Sequence, residues 1–211
     1  MNILVIGAGG VGASMASIAE TRSFFSQFVL ADISLARAEE AIAQLDERAK
    51  FAAEQVDARD KEAIKALIHR VKADVVVNAC DPRMNEPIFN AAYESHCNYI
   101  DMAMNLSEPH ASNPYEEVGS PLGADQLAAD SAWRERGLLA LVGMGVEPGL
   151  SDVFARYAAD NLFDTIDEIG VRDGSNLSID GLDFAPTFSI WTTIEECLNP
   201  PIVWEKNRGL Y

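Results

Sequence analysis

The chain has 211 residues, of which 48% are hydrophobic, so it is long enough to bury the core of one large domain or of one domain and part of a second. Its 33 acidic and 16 basic side chains leave a formal net charge of −17, which argues against general nucleic-acid binding because such a surface repels phosphate backbones. No apolar run approaches the roughly 20 residues that a membrane-spanning helix needs, and the N-terminus has no basic leader. The three cysteines show no CxxC spacing, which favours a reduced compartment over a disulfide framework or a metal site. We expect a cytoplasmic protein with no metal, membrane or nucleic-acid partner.

Strands alternate with helices through the first 100 residues. In chain order, the predicted strands are 2–6, 28–32, 51–56, 74–78 and 98–102, and the predicted helices are 10–20, 34–48, 61–71 and 85–95. Ser34 has the residue type of an N-cap, and the β-branched run in DVVVN at 74–78 is typical of a strand that is buried on both faces. This alternation predicts a parallel sheet with helices on both sides.

The alternation of strands and helices stops over 105–123, where three prolines and two glycines predict a long loop. Beyond it we predict a helix at 124–136, a sixth buried strand at 138–142, a helix at 149–161, a strand at 166–172 and a helix at 189–198. The expected architecture is α/β: a Rossmann-type, doubly wound parallel sheet over 1–150. The start of a second α+β domain, for substrate binding or dimerisation, is expected over 151–211.

A glycine-rich turn directly follows the first predicted strand. Its GxGxxG spacing falls on Gly7, Gly9 and Gly12, with Gly10 and Val11 inside the motif. In a dinucleotide-binding turn the first glycine allows the tight turn, the second admits a pyrophosphate to the backbone and the third lets the helix pack closely. The phosphates would lie on the N–H groups of the helix N-terminus. The alternative interpretation is an ordinary turn rich in glycine.

Asp32 ends the second predicted strand, 20 residues after Gly12, where an acidic side chain would bind the ribose 2′-hydroxyl of NAD. Ile33, a further cofactor-binding candidate, follows it, and the first basic residue beyond is Arg37. A carboxylate about 4 Å from a 2′-phosphate is disfavoured by up to ~4 kcal/mol at an effective dielectric constant of ~20, so the sequence favours NAD. NADP stays open as the alternative, through Arg37 or through an aspartate turned outward.

Further cofactor contacts are expected where the third and fourth strands end. Asp57 and Ala58 would meet the adenine, although a turn or helix cap is an equally good explanation of Asp57. Asn78 and Ala79 would touch the cofactor through their backbone. Cys80 is a candidate reactive thiol, with simple packing as the alternative.

Four segments together resemble the saccharopine dehydrogenase family of NAD(P)-dependent oxidoreductases, including its lysine 6-dehydrogenase-like and carboxynorspermidine dehydrogenase-like members. These segments are ILVIGAGGVG at the start, VVVNACDP, NYIDMA and LLALVGMGVEPGLSD. The GVEPG segment is the more specific part, because many families share GxGxxG. The chain is shorter than the family pattern, which includes a larger α+β domain.

The resemblance implies oxidation of a C–N bond in an amino-acid-like or polyamine-like substrate by hydride transfer to NAD(P). The catalytic candidates are the side chains near predicted strand ends, with the two carboxylates first: Asp101, Glu147, Tyr99 and Cys80. The alternatives are that Asp101 caps a turn and that Glu147 only precedes a helix start at Pro148.

Several points stay open in the sequence. An arginine should bind a substrate carboxylate, and the candidates are Arg83, Arg172 and Arg208. The segment Trp191, Thr192 and Thr193 would line a substrate pocket or belong to a core helix. We expect a homodimer. The alternative function is a non-catalytic dinucleotide-binding module or a truncated subunit, whereas a short-chain dehydrogenase is disfavoured because no YxxxK motif is present.

Overall fold

The computed structural model describes residues 1–117, 119–172, 174, 178–183, 190, 194, 197–198 and 203–210. The strands in this part of the chain are β1 Asn2–Ile6, β2 Gln27–Asp32, β3 Phe51–Gln55, β4 Val75–Asn78, β5 Asn98–Asp101, β6 Ala140–Leu141, β7 Trp204–Glu205 and β8 Gly209–Leu210. The α-helices are α1 Gly10–Glu20, α2 Leu35–Ala43, α3 Lys61–Val71, α4 Asn85–Glu94, α5 Ala124–Ala128, α6 Asp130–Glu135 and α7 Leu150–Asn161. A short 3-10 helix covers Pro82–Met84.

Six strands form one sheet in the order β3-β2-β1-β4-β5-β6, and every neighbouring pair is parallel. The order reverses between β1 and β4, and ligands of such sheets bind at this switch point, beyond the carboxyl ends of the strands. The predicted Rossmann-type fold is therefore confirmed.

The sheet has a buried layer on each face because neighbouring side chains of a strand point to opposite sides. Leu4 and Tyr99 belong to the layer that α3, α4 and α6 cover, and Val5 and Leu30 belong to the layer that α1 and α2 cover. All four residues of β4 are buried, which confirms the interpretation of the β-branched run. Ser34 is the N-cap of α2, where its side chain accepts a hydrogen bond from the Arg37 N–H.

Four of the predicted helices and strands differ from those in the structure. The helix expected over 34–48 ends at Ala43, and the helix expected over 124–136 is divided at Ala129 into α5 and α6. The sixth strand is not a buried five-residue strand: it covers two residues at the sheet edge, where β5 is its neighbour within the described sheet and Leu141 is 37% exposed. Residues 166–172 form no strand, and their apolar side chains lie exposed without a described partner strand. The helix expected over 189–198 lies mostly outside the described residues, as do Trp191, Thr192 and Thr193.

The chain divides into two compact units. The first comprises Met1–Leu106 and Gly123–Gly149 and contains the six-stranded sheet. The second comprises Ser107–Leu122 and Leu150–Tyr211 and contains α7 and the antiparallel pair of β7 and β8. That the second unit begins a substrate domain stays a prediction. No helix in the described ranges combines the length and the apolar character needed to cross a membrane.

Replacing Leu4 with alanine should lower the free energy of unfolding by roughly 2–5 kcal/mol, because the side chain is fully buried in the central strand and its loss leaves a cavity. Urea unfolding followed by circular dichroism measures the change. Leu127→Ala is the matched control, since Leu127 is 56% exposed and its truncation should change stability by less than about 0.5 kcal/mol. Equal losses for the two variants would contradict the described core.

Candidate functional site

The glycine-rich turn between β1 and α1 requires glycine at two positions for steric reasons. Gly7 has a φ of +108°, and a Cβ there would lie 2.7 Å from the Ala79 carbonyl oxygen. A Cβ at Gly12 would lie 1.9 Å from the carbonyl oxygen of Gly7. Any side chain at Gly12 would thus push α1 away from the turn, so this glycine allows the helix to begin directly against β1.

The outer part of the same turn is open. Gly9 and Gly10 are exposed, and a Cβ at either position would meet no described atom within 4 Å. Gly9 is the N-cap of α1 and has no side chain with which to cap the first-turn N–H groups, and Val11 follows as an exposed residue. Unpaired N–H groups at a helix N-terminus attract phosphate, and the open space lets a pyrophosphate approach them. The residues present therefore fit a dinucleotide.

Asp32 lies at the end of β2 and is fixed by two backbone N–H groups. Its Oδ2 accepts a hydrogen bond from the Ala8 N–H at 2.9 Å, and its Oδ1 accepts one from the Ser34 N–H at 2.9 Å. The residue is only 7% exposed, so the outward-turned aspartate that would favour NADP is not observed. A carboxylate oxygen has two lone pairs, so each can still accept a ribose hydroxyl. Arg37 Nη1 lies 3.8 Å from Oδ1, on an exposed side chain.

Asp57 and Ala58, the two residues expected to meet the adenine, follow β3. Ile33, the cofactor-binding candidate after β2, is exposed. Asp57 accepts a bidentate pair of hydrogen bonds from Arg59, with Nε 2.9 Å from Oδ1 and Nη2 2.7 Å from Oδ2. These hydrogen bonds lower the pKa of Asp57 to about 2. Asp57 is not the N-cap of α3, because that position is occupied by Asp60. Asp57 is a turn residue, and its Oδ1 accepts a hydrogen bond from the Arg59 N–H. Ala58, next to it, is partly buried. Adenine binding at this position stays a prediction.

The end of β4 lies beside the glycine-rich turn. The Ala79 N–H donates to the Ile6 carbonyl oxygen at 2.8 Å, which places Ala79 next to Gly7. The Asn78 side chain is buried and accepts a hydrogen bond from the Cys80 N–H at 2.9 Å. These contacts place Asn78 and Ala79 beside the turn, and their backbone contact with the cofactor stays a prediction.

Cys80 has the surroundings of a packed thiol. Its Sγ donates to the Ile6 carbonyl oxygen at 3.3 Å, and burial raises its pKa to about 12. Since the thiolate is the nucleophilic form, this environment keeps the sulfur in its unreactive state near neutral pH. Packing is the better supported of the two interpretations.

A buried polar network joins the ends of β4, β5 and β6. Asp101 is 1% exposed, and its Oδ1 accepts from the Gly143 N–H at 2.6 Å while its Oδ2 accepts from Gln126 Nε2 at 2.7 Å. Burial raises the pKa of the Asp101 carboxyl. Tyr99 is fully buried beside it, its Oη accepts from Asn78 Nδ2 at 3.3 Å, and burial raises its pKa as well. The network positions three loops at the edge where ligands bind.

Sequence reasoning missed two members of this network. Asn85 accepts from Asn78 Nδ2 at 2.7 Å, and Gln126 also accepts from the Asn105 N–H at 2.7 Å. An amide side chain on a helix carries no signal of such contacts.

Glu147, the other carboxylate candidate, is exposed in the turn that precedes α7. The structure thus gives Asp101 and Glu147 opposite environments.

Comparisons with known proteins agree with this geometry. A family model described as the saccharopine dehydrogenase NADP binding domain matches residues 3–141. Carboxynorspermidine synthase of Vibrio cholerae is 34% identical over 97% of this chain and 50% of that protein. Carboxyaminopropylagmatine dehydrogenase of Synechocystis is 28% identical over 92% of this chain and 46% of that protein. The chain therefore spans about half the length of the curated relatives it matches.

One solved structure supports the fold. Apo saccharopine dehydrogenase (L-Glu forming) of Saccharomyces cerevisiae has a TM-score of 0.57 and 15% identity, over 76% of this chain and 31% of that one. The described domain thus has the fold and the motif of an NAD(P)-binding domain.

Although the family description names NADP, we expect this chain to bind NADH more tightly than NADPH, because the fixed Asp32 carboxylate would repel a 2′-phosphate. Asp32→Asn should lower the ratio of the NADPH to the NADH dissociation constant by about tenfold or more. Fluorescence titration with each cofactor measures the ratio. Glu39→Gln, which removes an exposed carboxylate from α2, should leave it unchanged. Tighter NADPH binding by the unaltered chain would contradict this expectation.

Cys80 should react slowly with iodoacetamide at pH 8 in the folded protein, because a pKa of about 12 leaves very little thiolate. Mass spectrometry after timed alkylation measures the modified fraction at each cysteine. Cys197 is exposed and serves as the internal reference, and both thiols should react once urea unfolds the chain. Labelling of Cys80 as fast as that of Cys197 in the folded state would show that the thiol is activated.

Proposed function

The chain belongs to the saccharopine dehydrogenase family, and from this premise we propose that it provides the dinucleotide-binding part of an oxidoreductase acting on the C–N bond of a carboxylated, polyamine-like substrate. The observation that carries the cofactor half of the proposal is the Asp32 carboxylate, hydrogen-bonded to Ala8 beside the open Gly9 and Gly10 turn. Those groups would hold the adenosine ribose and the pyrophosphate.

The substrate half is supported by the relatives and by charge. One relative is named for a carboxylated polyamine and the other for a carboxylated agmatine derivative. Both compounds combine several amines with a carboxylate. The net charge of −17 would raise the local concentration of such a polycation. Saccharopine and lysine, which carry fewer amines, would gain less from this field.

The reaction converts a secondary amine into an imine. The amine carbon loses a hydride and the nitrogen loses a proton, so that the amine and NAD(P)⁺ yield the imine, NAD(P)H and H⁺. When bound, the nicotinamide supplies the hydride acceptor. The protein has to hold the amine carbon near the carboxyl ends of β4 and β5 and has to accept the proton.

The four catalytic candidates divide by environment in this proposal. Both oxygens of Asp101 already accept hydrogen bonds, so we assign it to positioning the loop at Gly143. Burial keeps Tyr99 and Cys80 protonated, so neither side chain is suited to accept the proton. Glu147 is exposed, so its carboxylate is accessible as the proton acceptor. Neither a homodimer nor a cytoplasmic location follows from these observations, and both stay predictions.

A non-catalytic dinucleotide-binding module is the second candidate function. The observation in its favour is that three of the four candidates, Tyr99, Cys80 and Asp101, hydrogen-bond within the protein. Such a module would bind NAD(P)H through the glycine-rich turn and Asp32 without turnover.

Absorbance at the NADH band tests the proposal, with NAD and then NADP as the acceptor. Carboxynorspermidine, norspermidine, saccharopine and lysine are compared. We expect turnover with carboxynorspermidine at a kcat/KM about tenfold or more above that for lysine, and a value that falls with added salt. Tight NADH binding without turnover of any amine would favour the binding module. A folded chain that binds neither cofactor would overturn both candidates.

A further inference from the structure

The carboxyl end of β3 lies beside Asp32. The two strands are parallel with Asp32 opposite Gln55, and the Val56 N–H donates to the Asp32 carbonyl oxygen at 3.0 Å. Gln55 Nε2 also donates to the Ile33 carbonyl oxygen at 2.9 Å, which ties the end of β3 to the segment after β2. Asp57 follows Val56 directly, so it lies at the edge of the sheet next to the proposed ribose site.

The proposed binding mode sets the direction in which the cofactor crosses the sheet. The pyrophosphate would lie at the turn after β1, and the ribose would lie at Asp32, where β2 ends. The next strand in the sheet order is β3. Because the base is attached to the ribose on the side away from the pyrophosphate, it would reach the end of β3, where the chain carries Asp57 and Arg59.

Arg59 holds the Asp57 carboxylate in one orientation. Oδ1 of Asp57 accepts from the Arg59 N–H at 3.0 Å and from Nε at 2.9 Å, and Oδ2 accepts from Nη2 at 2.7 Å. A carboxylate has roughly four acceptor positions, so these N–H groups leave one of them, on Oδ2. The Asp57 side chain is 36% exposed, which makes this remaining position accessible to a ligand.

We propose that Arg59 positions Asp57 to accept a hydrogen bond from the 6-amino group of the adenine, and that the pair thereby selects adenine over a base with a carbonyl at that position. This inference rests on the cofactor half of the proposed function. An ionised carboxylate has acceptors only, so it attracts an N–H donor and repels a carbonyl oxygen. Since the hydrogen bonds from Arg59 lower the pKa of Asp57 to about 2, the carboxylate stays ionised near neutral pH.

Arg59 also compensates the charge of Asp57. Without the guanidinium, Asp57 and Asp32 would place two carboxylates beside an anionic cofactor, on a chain whose net charge is −17. The two effects of Arg59 can be separated. The loss of charge compensation weakens every dinucleotide alike, whereas the loss of orientation weakens only a dinucleotide whose base carries the 6-amino group. Arg59 is thus a positioning residue, because it selects the base through Asp57.

Fluorescence titration with NADH and with reduced nicotinamide hypoxanthine dinucleotide tests the inference, because a carbonyl replaces the 6-amino group in the second compound. We expect the unaltered chain to bind NADH about tenfold or more tightly than the analogue. In Asp57→Ala the two dissociation constants should come within about threefold of each other. Arg59→Gln should weaken the binding of both compounds and should lower the ratio of the two constants by about threefold or more.

Arg59→Lys separates charge from orientation. It keeps the positive charge without the bidentate hydrogen bonds, so it should restore most of the affinity for both compounds but not the preference for NADH. Arg134→Gln is the matched control, because Arg134 is also exposed and hydrogen-bonded to a carboxylate, Asp130, but lies on α6. It should leave both dissociation constants unchanged.

Three results would overturn the inference. Equal affinity of the unaltered chain for the two compounds overturns it and leaves the proposed function standing. So does an Arg59→Gln variant that binds both compounds more weakly at an unchanged ratio, because charge compensation alone produces that result. A folded, unaltered chain that binds neither compound overturns the inference together with the cofactor half of the proposed function.

Discussion

The dinucleotide site depends on the direct packing of α1 against the turn after β1. A Cβ at Gly12 would lie 1.9 Å from the Gly7 carbonyl oxygen, so only glycine lets the helix begin this close to the strand. The first-turn N–H groups consequently lie beside Gly9 and Gly10, where the backbone is open. Asp32 completes the arrangement, because its hydrogen bond from Ala8 fixes the turn from the neighbouring strand. Steric contact and one buried carboxylate together fix the turn and leave its outer backbone open, and phosphate binding there stays a prediction.

On the other side of the switch point, the polar network at the ends of β4, β5 and β6 holds the loops that follow these strands in place. Asp101 is a buried carboxylate with neutral donors, Gly143 and Gln126, and burial raises its pKa. A buried charge is unfavourable unless such donors compensate it, so each donor contributes to holding its loop in place. This explains how irregular loops can form a defined edge. The same bonds occupy the carboxylate that the sequence ranked among the first catalytic candidates.

The predictions that succeeded rest on local rules. Glycine spacing, the buried run of β4 and the Ser34 cap each depend on residues within one strand or turn, and the structure confirms them. The errors concern elements whose state depends on distant neighbours. The strand at Ala140–Leu141 is short because it lies at the edge of the sheet, and apolar residues at 166–172 form no strand in the described structure because no partner strand lies beside them. An apolar run does not specify the partner that would bury it.

The amino-acid sequence alone determined the alternation of strands and helices, the dinucleotide motif and the acidic residue at the end of the second strand, because each is encoded within a short stretch of residues. The tertiary structure decided what the carboxylates do. Asp32 meets Ala8 across 24 positions of the chain, and Asp101 meets Gly143 across 42. In this sheet the two contacts form because parallel strands align their carboxyl ends. Burial and hydrogen-bond partners, which set whether a carboxyl group is held in place or accessible, are therefore properties of the folded sheet.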